Sequence, residues 1–444
     1  MDQQSEPSVR QEVTLVRPAK VSSAGSWSLP VSPPLGLAYV AAVLREHGHR
    51  VSCLDAIAER IDQFIHDDDY LSQGLTIEET VERIDPDSTI IGVSGMFTQD
   101  WPHTRQLCSA IRAKFPAALL VGGGEHFTAL PEFSLRDCPE LDLCVLGEGE
   151  ETMLDIANCF ADWDRLVRVS GIAYLDGDRY VQTAPRGRIQ AVNDMPYPAW
   201  DLFPVEVYLS DRNAYGVYRG RSLPILATRG CPYKCTFCSN PAMYGVLWIP
   251  RDPADVMDEI EFLLNQYRVQ NVDFYDLTMV LKKDWILQFC RLIEERGLQL
   301  TWQLPSGTRS EVIDDEVSAA LYRTGCRNVT YAPESGSVKT LKAIKKQVHL
   351  DRLIASIRSA VRNGIHVKCN IIIGFPHDTR SDLLKTIWLC WKFAVLGVDA
   401  SEIFLFTPYP GTELFNELRA DGTIGELDGN YFRSLVAFLD PFRP

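Results

Sequence analysis

The sequence predicts an α/β fold with two domains, a Rossmann-like parallel sheet followed by a partial (β/α)6 barrel. Short apolar runs alternate with amphipathic stretches twice along the chain, and a segment rich in proline and aromatic residues separates the two series. Alternation of this kind is typical of parallel sheets covered by helices. A chain of 444 residues is also too long for one ordinary core. We therefore expect domains at 1–184 and 222–425, a linker at 185–221 and a tail at 426–444.

The first domain is predicted from closely spaced apolar and amphipathic segments. Expected strands lie at 13–16, 51–54, 90–93, 119–121 and 143–146, and amphipathic stretches at 35–47, 77–84, 104–115 and 151–160. Ligands of such sheets bind beyond the carboxyl ends of the strands, within reach of the connecting loops. The chemistry of this domain is therefore expected in those loops.

Three of these loops are rich in glycine. The candidate binding residues in them are Ser94, Gly122, Gly123, Gly124, Gly147 and Glu148. Because glycine has no Cβ, it lets the backbone approach a ligand closely. A tight structural turn explains a triple glycine equally well, so the loops alone leave both interpretations open.

The linker and the second domain follow. Prolines and aromatic residues stiffen the linker, which ends with Tyr208, Tyr215 and Tyr218. The default role of these tyrosines is packing between the domains, and the alternative is a proton or radical relay.

Expected strands of the second domain lie at 223–227, 272–275, 300–303, 328–331, 367–373 and 403–406, with helices at 253–267, 285–296, 316–324, 350–363 and 381–396. Repeated βα units of one hand tend to close into a barrel or part of one.

The most informative motif is a C-x3-C-x2-C run, Cys231, Cys235 and Cys238, directly after the first strand of the second domain. Three thiolates leave one iron of a four-iron cluster open to a small molecule, whereas clusters that only carry electrons are normally closed by four thiolates. The alternatives are unrelated buried thiols or a zinc site. Zinc sites typically use paired cysteines or cysteine with histidine, and the nearest histidines, His126 and His349, are over a hundred residues away.

Composition narrows the class of protein. The net charge of -15 disfavours a nucleic-acid backbone as the main partner, which needs a basic surface. No apolar stretch is long enough to span a membrane, and the amino terminus is polar and charged. The nine other cysteines stand singly in apolar segments and are typical of small buried residues in a reducing compartment. We therefore expect a cytoplasmic enzyme.

The cysteine run, with Phe237 just before its third cysteine, resembles the cluster loop of radical SAM enzymes, and further motifs of that family follow at later strand ends. The resemblance implies a 4Fe-4S cluster whose open iron chelates S-adenosylmethionine (SAM). It implies that Asp276 bonds the SAM ammonium group and that Arg309 and Ser310 contact its carboxylate or ribose. The full set implied in SAM binding is Phe237, Asp276, Arg309, Ser310, Glu334, Ser335, Ile373 and Gly374.

The first domain resembles the cobalamin-binding domain found ahead of many radical SAM domains. The resemblance rests on the segment Ser32 to Leu37, on Gly92-Val93-Ser94, and on the Gly122 and Gly147 loops. An Asp-x-His-x-x-Gly motif is missing from the sequence, which implies a corrinoid bound without a protein histidine. A domain that keeps the fold without the cofactor is the alternative.

Together the resemblances imply a radical SAM enzyme that reductively cleaves SAM to a 5′-deoxyadenosyl radical. The leading hypothesis is cobalamin-dependent methylation of an unactivated carbon. The alternative is a radical lyase, dehydratase or cyclase, for example one that dehydrates a diol of a sugar or aminoglycoside, with an empty N-terminal domain and with Tyr215 and Tyr218 handling protons. Expected partners are a small-molecule substrate and a reductant of the flavodoxin or ferredoxin type, with no nucleic acid and no membrane span.

Overall fold

Two mainly parallel β-sheets, one in each half of the chain, organise the structure. The computed structural model describes residues 10–24, 31–67, 70–210, 216–309 and 312–437. The strands are β1 (Glu12–Arg17), β2 (Lys20–Ser23), β3 (Arg50–Asp55), β4 (Phe64–Asp67), β5 (Tyr70–Gln73), β6 (Ile90–Ser94), β7 (Leu119–Gly123), β8 (Leu143–Val145), β9 (Ile172–Asp176), β10 (Arg179–Gln182), β11 (Ser222–Ile225), β12 (Thr228–Arg229), β13 (Ile249–Pro250), β14 (Asn271–Phe274), β15 (Thr301–Thr308), β16 (Cys326–Glu334), β17 (His366–Ile373) and β18 (Ala400–Leu405).

Helices connect and cover these strands. They are α1 (Leu35–Glu46), α2 (Ala56–Glu59), α3 (Ile77–Arg83), α4 (Trp101–Lys114), α5 (Glu125–Ala129), α6 (Pro131–Asp137), α7 (Glu150–Cys159), α8 (Trp163–Leu166), α9 (Val205–Ser210), α10 (Asn240–Tyr244), α11 (Pro253–Tyr267), α12 (Lys283–Glu295), α13 (Asp315–Arg323), α14 (Val338–Ala343), α15 (Leu350–Arg362), α16 (Arg380–Leu396), α17 (Glu413–Ala420) and α18 (Gly429–Ala437).

The first sheet has the strand order β10-β9-β8-β7-β6-β1-β3. Strands β3, β1, β6, β7 and β8 run parallel, and an antiparallel hairpin, β9 and β10, extends the sheet at one edge. Apolar residues on both faces, such as Leu15 and Val16 of β1, are buried under helices on each side. The carboxyl ends of the five parallel strands therefore meet at one edge, where the glycine-rich loops lie.

The second sheet has six parallel strands in the order β11-β14-β15-β16-β17-β18, an open barrel. Outward-facing Val272, Phe274 and Trp302 pack under the helices, and Trp302 contacts Phe289 edge-on with the ring centroids 5.3 Å apart. The alternate residues Asp273 and Gln303 face the interior, where Gln303 donates a hydrogen bond to Asp273 over 2.6 Å. The partial barrel predicted from the sequence is confirmed.

The linker reaches into both domains. The hydroxyl of Tyr208 donates a 2.5 Å hydrogen bond to Asp55 at the end of β3 and accepts one from Arg17, so this tyrosine has the packing role that the sequence predicts by default. Farther along, the backbone of Val217 exchanges two hydrogen bonds with the side chain of Gln303 in the barrel interior. Tyr215 lies outside the described residues.

The segment predicted as a tail contains a helix. In α18, Phe432 and Leu435 are buried against the first domain, with the Phe432 ring centroid 6.4 Å from that of His126. The sequence also gave no sign of the small antiparallel sheet β2-β5-β4 or of the short β12–β13 pair. Short strands and a single helix carry little periodic pattern, which explains why they were missed.

Burial lowers the pKa of His126 to about 3, in a cluster where its ring stacks on Trp101 at 4.6 Å. Below pH about 6.5 the unfolded chain binds a proton at this histidine that the folded chain does not. The free energy of unfolding should therefore fall as the pH drops from about 6.5, by up to about 1.4 kcal/mol per pH unit from this residue. Urea unfolding of the cofactor-free chain at several pH values should show a flatter pH slope for His126→Phe; an unchanged slope contradicts the assignment.

Candidate functional site

The cysteine loop begins where β11 ends at the top of the barrel. Strand β12 pairs with β13 and leads directly into Gly230, whose φ of +81° is a left-handed conformation that favours glycine. A Cβ at Gly230 would also overlap the backbone carbonyl of Leu247. Cys231, Cys235 and Cys238 follow within a single loop, so the strand places all three thiols at the carboxyl edge of the barrel, as predicted.

Positive charge lies close to these thiols. Burial raises the pKa of each cysteine, to about 12 for Cys238, whereas the charge of Lys346 acts in the opposite direction on all three. Arg309 adds to this effect at Cys231 and Cys235. A thiolate ligand set is favoured by cations of this kind.

The three cysteines do not form a site for a single ion. Within the described ranges, no group of three or more His, Cys, Asp or Glu side chains comes together closely enough to hold one metal ion. A four-iron cluster needs no such point of convergence, because each thiolate binds a different iron. Three thiols on one loop are compatible with such a cluster.

Phe237 fixes the end of the loop. Its ring packs on Phe375 with centroids 5.6 Å apart, in a small apolar cluster with Ile344 and Leu414. The backbone N–H of Thr236 donates a hydrogen bond to the carbonyl of Ile344, and its carbonyl accepts one from the N–H of Leu414. The aromatic residue before the third cysteine thus has a packing role that anchors the loop.

Asp276 lies just after β14 and is almost completely buried. Its carboxylate accepts hydrogen bonds from the backbone N–H of Ala227 at 3.1 Å and from the hydroxyl of Thr228 at 2.6 Å. Burial raises its pKa to about 7. The residue predicted to bond SAM therefore also holds the strand that leads into the cysteine loop.

Glu334, Lys346 and Arg309 also lie close to the cysteine loop. Glu334 has a φ of +63° and forms a buried 2.8 Å ion pair with Lys346. The guanidinium of Arg309 lies 3.7 Å from the ring centroid of Tyr233 within the cysteine loop and donates to the carbonyl of Gln347. Ser310 lies outside the described residues.

Two further predicted SAM contacts have clear structural partners. The hydroxyl of Ser335 hydrogen-bonds that of Thr386 at 3.0 Å and accepts from the N–H of Ser337. Ile373 ends β17, and its carbonyl accepts from Phe406. Gly374 follows with a φ of +84°, and a Cβ there would meet no atom within 4 Å, so this turn has open space beside it.

The glycine loops of the first domain are shaped largely by one buried ring. A Cβ at Gly122 would overlap the ring of Phe127, and one at Gly95 would lie 2.6 Å from it. Gly124 has a φ of +110° and lies against the carbonyl of Gly95. At Gly123, by contrast, the nearest atom to a Cβ would be 3.8 Å away, on Val145. At Gly122 the missing Cβ thus makes space for the ring of Phe127, not for a ligand. Gly123 is the glycine of this loop that has open space beside it.

The surroundings of the glycine loops fit an apolar cofactor face without a histidine ligand. His126, in helix α5 after β7, is buried and hydrogen-bonds Ser134. Met96 and Phe97, after β6, are 55% and 50% exposed, unusual for apolar side chains at a loop beside a candidate binding edge. Neither residue is among the contacts predicted from the sequence, although the apolar pair that follows Ser94-Gly95 was an available signal.

A buried ion-pair network joins the two domains beside the cysteines. Arg229, two residues before Cys231, pairs with Glu148 at 3.1 Å and with Glu150 at 2.7 Å. Arg188 of the linker also pairs with Glu148, at 2.7 Å. Burial raises the pKa of Glu148, but the hydrogen bond from Arg188 and the charge of Arg229 outweigh burial, so its pKa is lowered. Glu148, predicted as a cofactor contact, thus has an interdomain role.

A second contact lies on the other side of the cysteines. The carboxyl of Glu125, at the start of α5 after β7, lies beside Ser239, the residue after Cys238; burial raises the pKa of Glu125 and Ser239 acts in the opposite direction. A Cβ at Gly147 would lie 3.3 Å from the carbonyl of Met243 in α10. The binding edge of the first sheet and the cluster edge of the barrel therefore face each other.

Tyr218 has a different position. It follows Val217, which bonds Gln303 in the barrel interior, and it precedes Arg219, which donates to the carbonyl of Arg327 near the start of β16. The cysteine loop lies at the other, carboxyl end of the strands. The structure therefore does not bring Tyr218 to the cysteines, and the predicted proton role is not supported by its position.

Comparison with known proteins agrees with this two-part site. The B12 binding domain family matches residues 28–157, and the Radical SAM superfamily matches residues 225–390. An uncharacterized methyltransferase of Pyrococcus horikoshii is 30% identical over 405 residues, which are 91% of this chain and 82% of that relative. The chain belongs to the radical SAM superfamily, with a B12 binding domain. The predicted family, fold class and enzyme class are confirmed.

Other relatives include methyltransferases and cyclases. A cytidylyl-2-hydroxyethylphosphonate methyltransferase of Streptomyces wedmorensis is 29% identical over 434 residues, 90% of this chain and 80% of the relative. An anaerobic magnesium-protoporphyrin IX monomethyl ester cyclase of Cereibacter sphaeroides is 28% identical over 404 residues, 89% of this chain and 61% of the relative. Methyltransferases and cyclases, the two reaction classes expected from the sequence, thus both occur among the relatives.

Solved structures share the whole architecture. The methyltransferase TsrM of Kitasatospora setae, with cobalamin and a [4Fe-4S] cluster bound, has a TM-score of 0.73 at 18% identity, covering 95% of this chain and 80% of that chain. OxsB, with aqua-cobalamin and SAM bound, has a TM-score of 0.71 at 16% identity, covering 96% of this chain and 56% of that chain. Among the described residues, no helix is long and apolar enough to cross a membrane.

Gly122→Ala should destabilise the first domain by about 1–3 kcal/mol, because its new methyl group overlaps the buried ring of Phe127. Gly123→Ala is the matched control, since its methyl group has space, and its unfolding midpoint should stay near that of the wild type. Urea unfolding of the cofactor-free proteins measures both. Equal stability of the two variants would contradict this account of the glycine loop.

Arg229→Met should cost about 3–5 kcal/mol in the free energy of unfolding, because it leaves Glu148 and Glu150 buried without their shared partner. The matched control is Arg179→Met, which breaks an exposed 2.6 Å pair with Asp176 and should cost under about 1 kcal/mol. Denaturant unfolding monitored by tryptophan fluorescence measures the difference. A loss at Arg229 no larger than that at Arg179 would show that the network is not structurally important.

Proposed function

We propose that this radical SAM protein is a cobalamin-dependent methyltransferase that methylates an unactivated carbon of a small molecule. The observation that carries the proposal is the contact between the two loop sets. The loops after β7 and β8 touch the residues on both sides of the cysteines, through Glu125 to Ser239 and through Glu148 to Arg229. The candidate cobalamin edge and the cysteine loop therefore lie next to each other, as a reaction that uses both cofactors on one substrate requires.

The chain offers a distinct set of residues to each cofactor. Cys231, Cys235 and Cys238 are proposed to hold the 4Fe-4S cluster, with its fourth iron left for SAM. Cobalamin is proposed to bind at the edge formed by Ser94, Gly123 and the loop after β8, without a protein histidine. When bound, the cluster supplies the electron that cleaves SAM to a 5′-deoxyadenosyl radical, and cobalamin supplies a methyl carrier.

The residues around the cysteines fit the binding of a zwitterion such as SAM. Asp276 and Glu334 offer carboxyl oxygens to an ammonium group, and Arg309 offers its guanidinium to a carboxylate. Each is buried and already held by the protein, Asp276 by Ala227 and Thr228 and Glu334 by Lys346. Preorganised groups of this kind bind a ligand without having to be reoriented. The other proposed contacts are Phe237, Ser335, Ile373 and Gly374, with Ser310 beside Arg309.

The chain's own groups also protect the site from water. Phe237, Phe375 and Phe406 pack as one aromatic group below the cysteine loop, with the last two centroids 5.1 Å apart. Aromatic rings offer no weakly bound hydrogen atom and exclude water, so these side chains favour reaction with a bound substrate over side reactions. An electron donor such as flavodoxin or ferredoxin is the proposed partner.

A radical lyase, dehydratase or cyclase is the second candidate, because a cyclase of Cereibacter sphaeroides resembles 89% of this chain. The two differ in the fate of the SAM methyl group. Anaerobic reactions with methyl-labelled SAM and added cobalamin should place label in the product of a methyltransferase. Formation of 5′-deoxyadenosine with a true substrate and no label in its product would reject methylation and favour the second candidate.

Cys235→Ala should abolish reductive cleavage of SAM, lowering 5′-deoxyadenosine formation by at least about a thousandfold, because the cluster loses one of three ligands. Iron and sulfide content should fall with it. The control is Cys290→Ala, which changes a cysteine on the buried face of helix α12; this variant should keep its iron. Retained SAM cleavage in Cys235→Ala would refute the ligand assignment.

A further inference from the structure

Helix α16 has an apolar outer face that the described part of the chain leaves uncovered. Leu384, Ile387, Trp388, Trp391 and Val395 are 65%, 60%, 55%, 55% and 68% exposed. The two indole rings stack on each other with centroids 4.6 Å apart and an interplanar angle of 13°. Soluble helices normally expose polar residues on the face away from the core, so this face is unusual.

The neighbouring strand extends the same surface. Ile403 and Leu405 of β18 are 52% and 41% exposed, and they lie opposite Ile371 and Ile373 of β17 in the sheet. Ile371 packs into the core beneath the helices, which places Ile403 on the helix-covered side of the sheet next to α16. With the five residues of α16, these side chains expose about 700 Å² of mostly apolar surface, above the patch size of typical monomers.

The path of the chain after β18 explains why the apolar surface of α16 and β18 stays exposed. In a regular βα series, a helix following the last strand would return over the outer side of the sheet and cover it. Here the chain runs instead to α17, where Leu414 donates to the carbonyl of Thr236 in the cysteine loop, and then to α18 on the first domain. Within the described residues β18 pairs with β17 alone.

We propose that this face is the interface of a homodimer, in which α16 packs antiparallel against α16 of a second copy. Leu384, Trp388, Trp391 and Val395 are spaced by four, three and four residues, the spacing of one helix–helix seam. The spacing reads the same in both directions. A twofold axis at the midpoint of Trp388 and Trp391 therefore sets each tryptophan against the other and Leu384 against Val395.

The area agrees with a second copy as the occupant. Lys385 and Lys392 lie together on one side of the seam, where Lys385 pairs with Asp382 of its own helix at 3.2 Å. A twofold interface needs one patch that is complementary to itself, which this spacing provides. About 700 Å² per chain is close to the roughly 800 Å² that each partner contributes to a stable interface.

The test is the mass of the full-length protein, purified anaerobically with its cofactors, by sedimentation velocity over a range of concentrations. The wild type should have twice the chain mass of 50.0 kDa. Trp388→Glu should be monomeric. The control Trp163→Glu changes a tryptophan that is 50% exposed on the first domain and should remain dimeric. A monomeric wild type, or a dimeric Trp388→Glu, overturns the proposal.

A charge exchange tests the antiparallel register. Leu384→Glu and Val395→Lys should each weaken self-association at least tenfold, because each places an unpaired charge in an apolar seam. The double variant should recover most of the loss, since each glutamate then faces a lysine of the other copy. Within one helix the two positions are about 16 Å apart, too far to pair. No recovery, or binding of a monomeric wild type to lipid vesicles, would reject this interface.

Discussion

The placement of the two domains depends on one buried group of charges. Glu148 comes from the loop after β8, Glu150 begins helix α7, and Arg229 comes from the strand that leads into the cysteines. Arg188 of the linker completes the group, so two guanidinium groups are balanced by two carboxylates. Buried charges are costly unless they are fully paired, so this group tolerates only one arrangement of the three segments. The cysteine loop is thereby aligned with the glycine loops as a consequence of charge pairing.

The two candidate binding edges are built by different means. At the cysteine loop, buried polar groups hold the backbone: Asp276 bonds the preceding strand and Lys346 pairs with Glu334. At the glycine loops, a buried phenylalanine ring sets the backbone, and two glycines make room for it. The same absence of a Cβ therefore has two uses in one loop, close packing at Gly122 and open space at Gly123.

Much of the fold was predictable because its long elements have strong periodic patterns. The helix predicted at 253–267 is α11 at the same bounds, and the six barrel strands were all located. The cysteine positions were equally clear, since a close run of thiols has few explanations. Contacts between segments distant in sequence were not predictable. Nothing near Glu148 in the sequence shows that its partners are Arg188 and Arg229, and nothing near Gly122 shows that Phe127 fills the space beside it.

The lower half of the barrel is filled by its own polar side chains. Asn271, Asp273 and Gln303 bond one another there, and the backbone of Val217 closes the network from below. The same network ties β14, β15 and the linker together at the end of the strands opposite the cysteine loop. This end of the open barrel is therefore stabilised by the protein's own polar groups, which leaves the other end, with the cysteines, as the one that can receive a ligand.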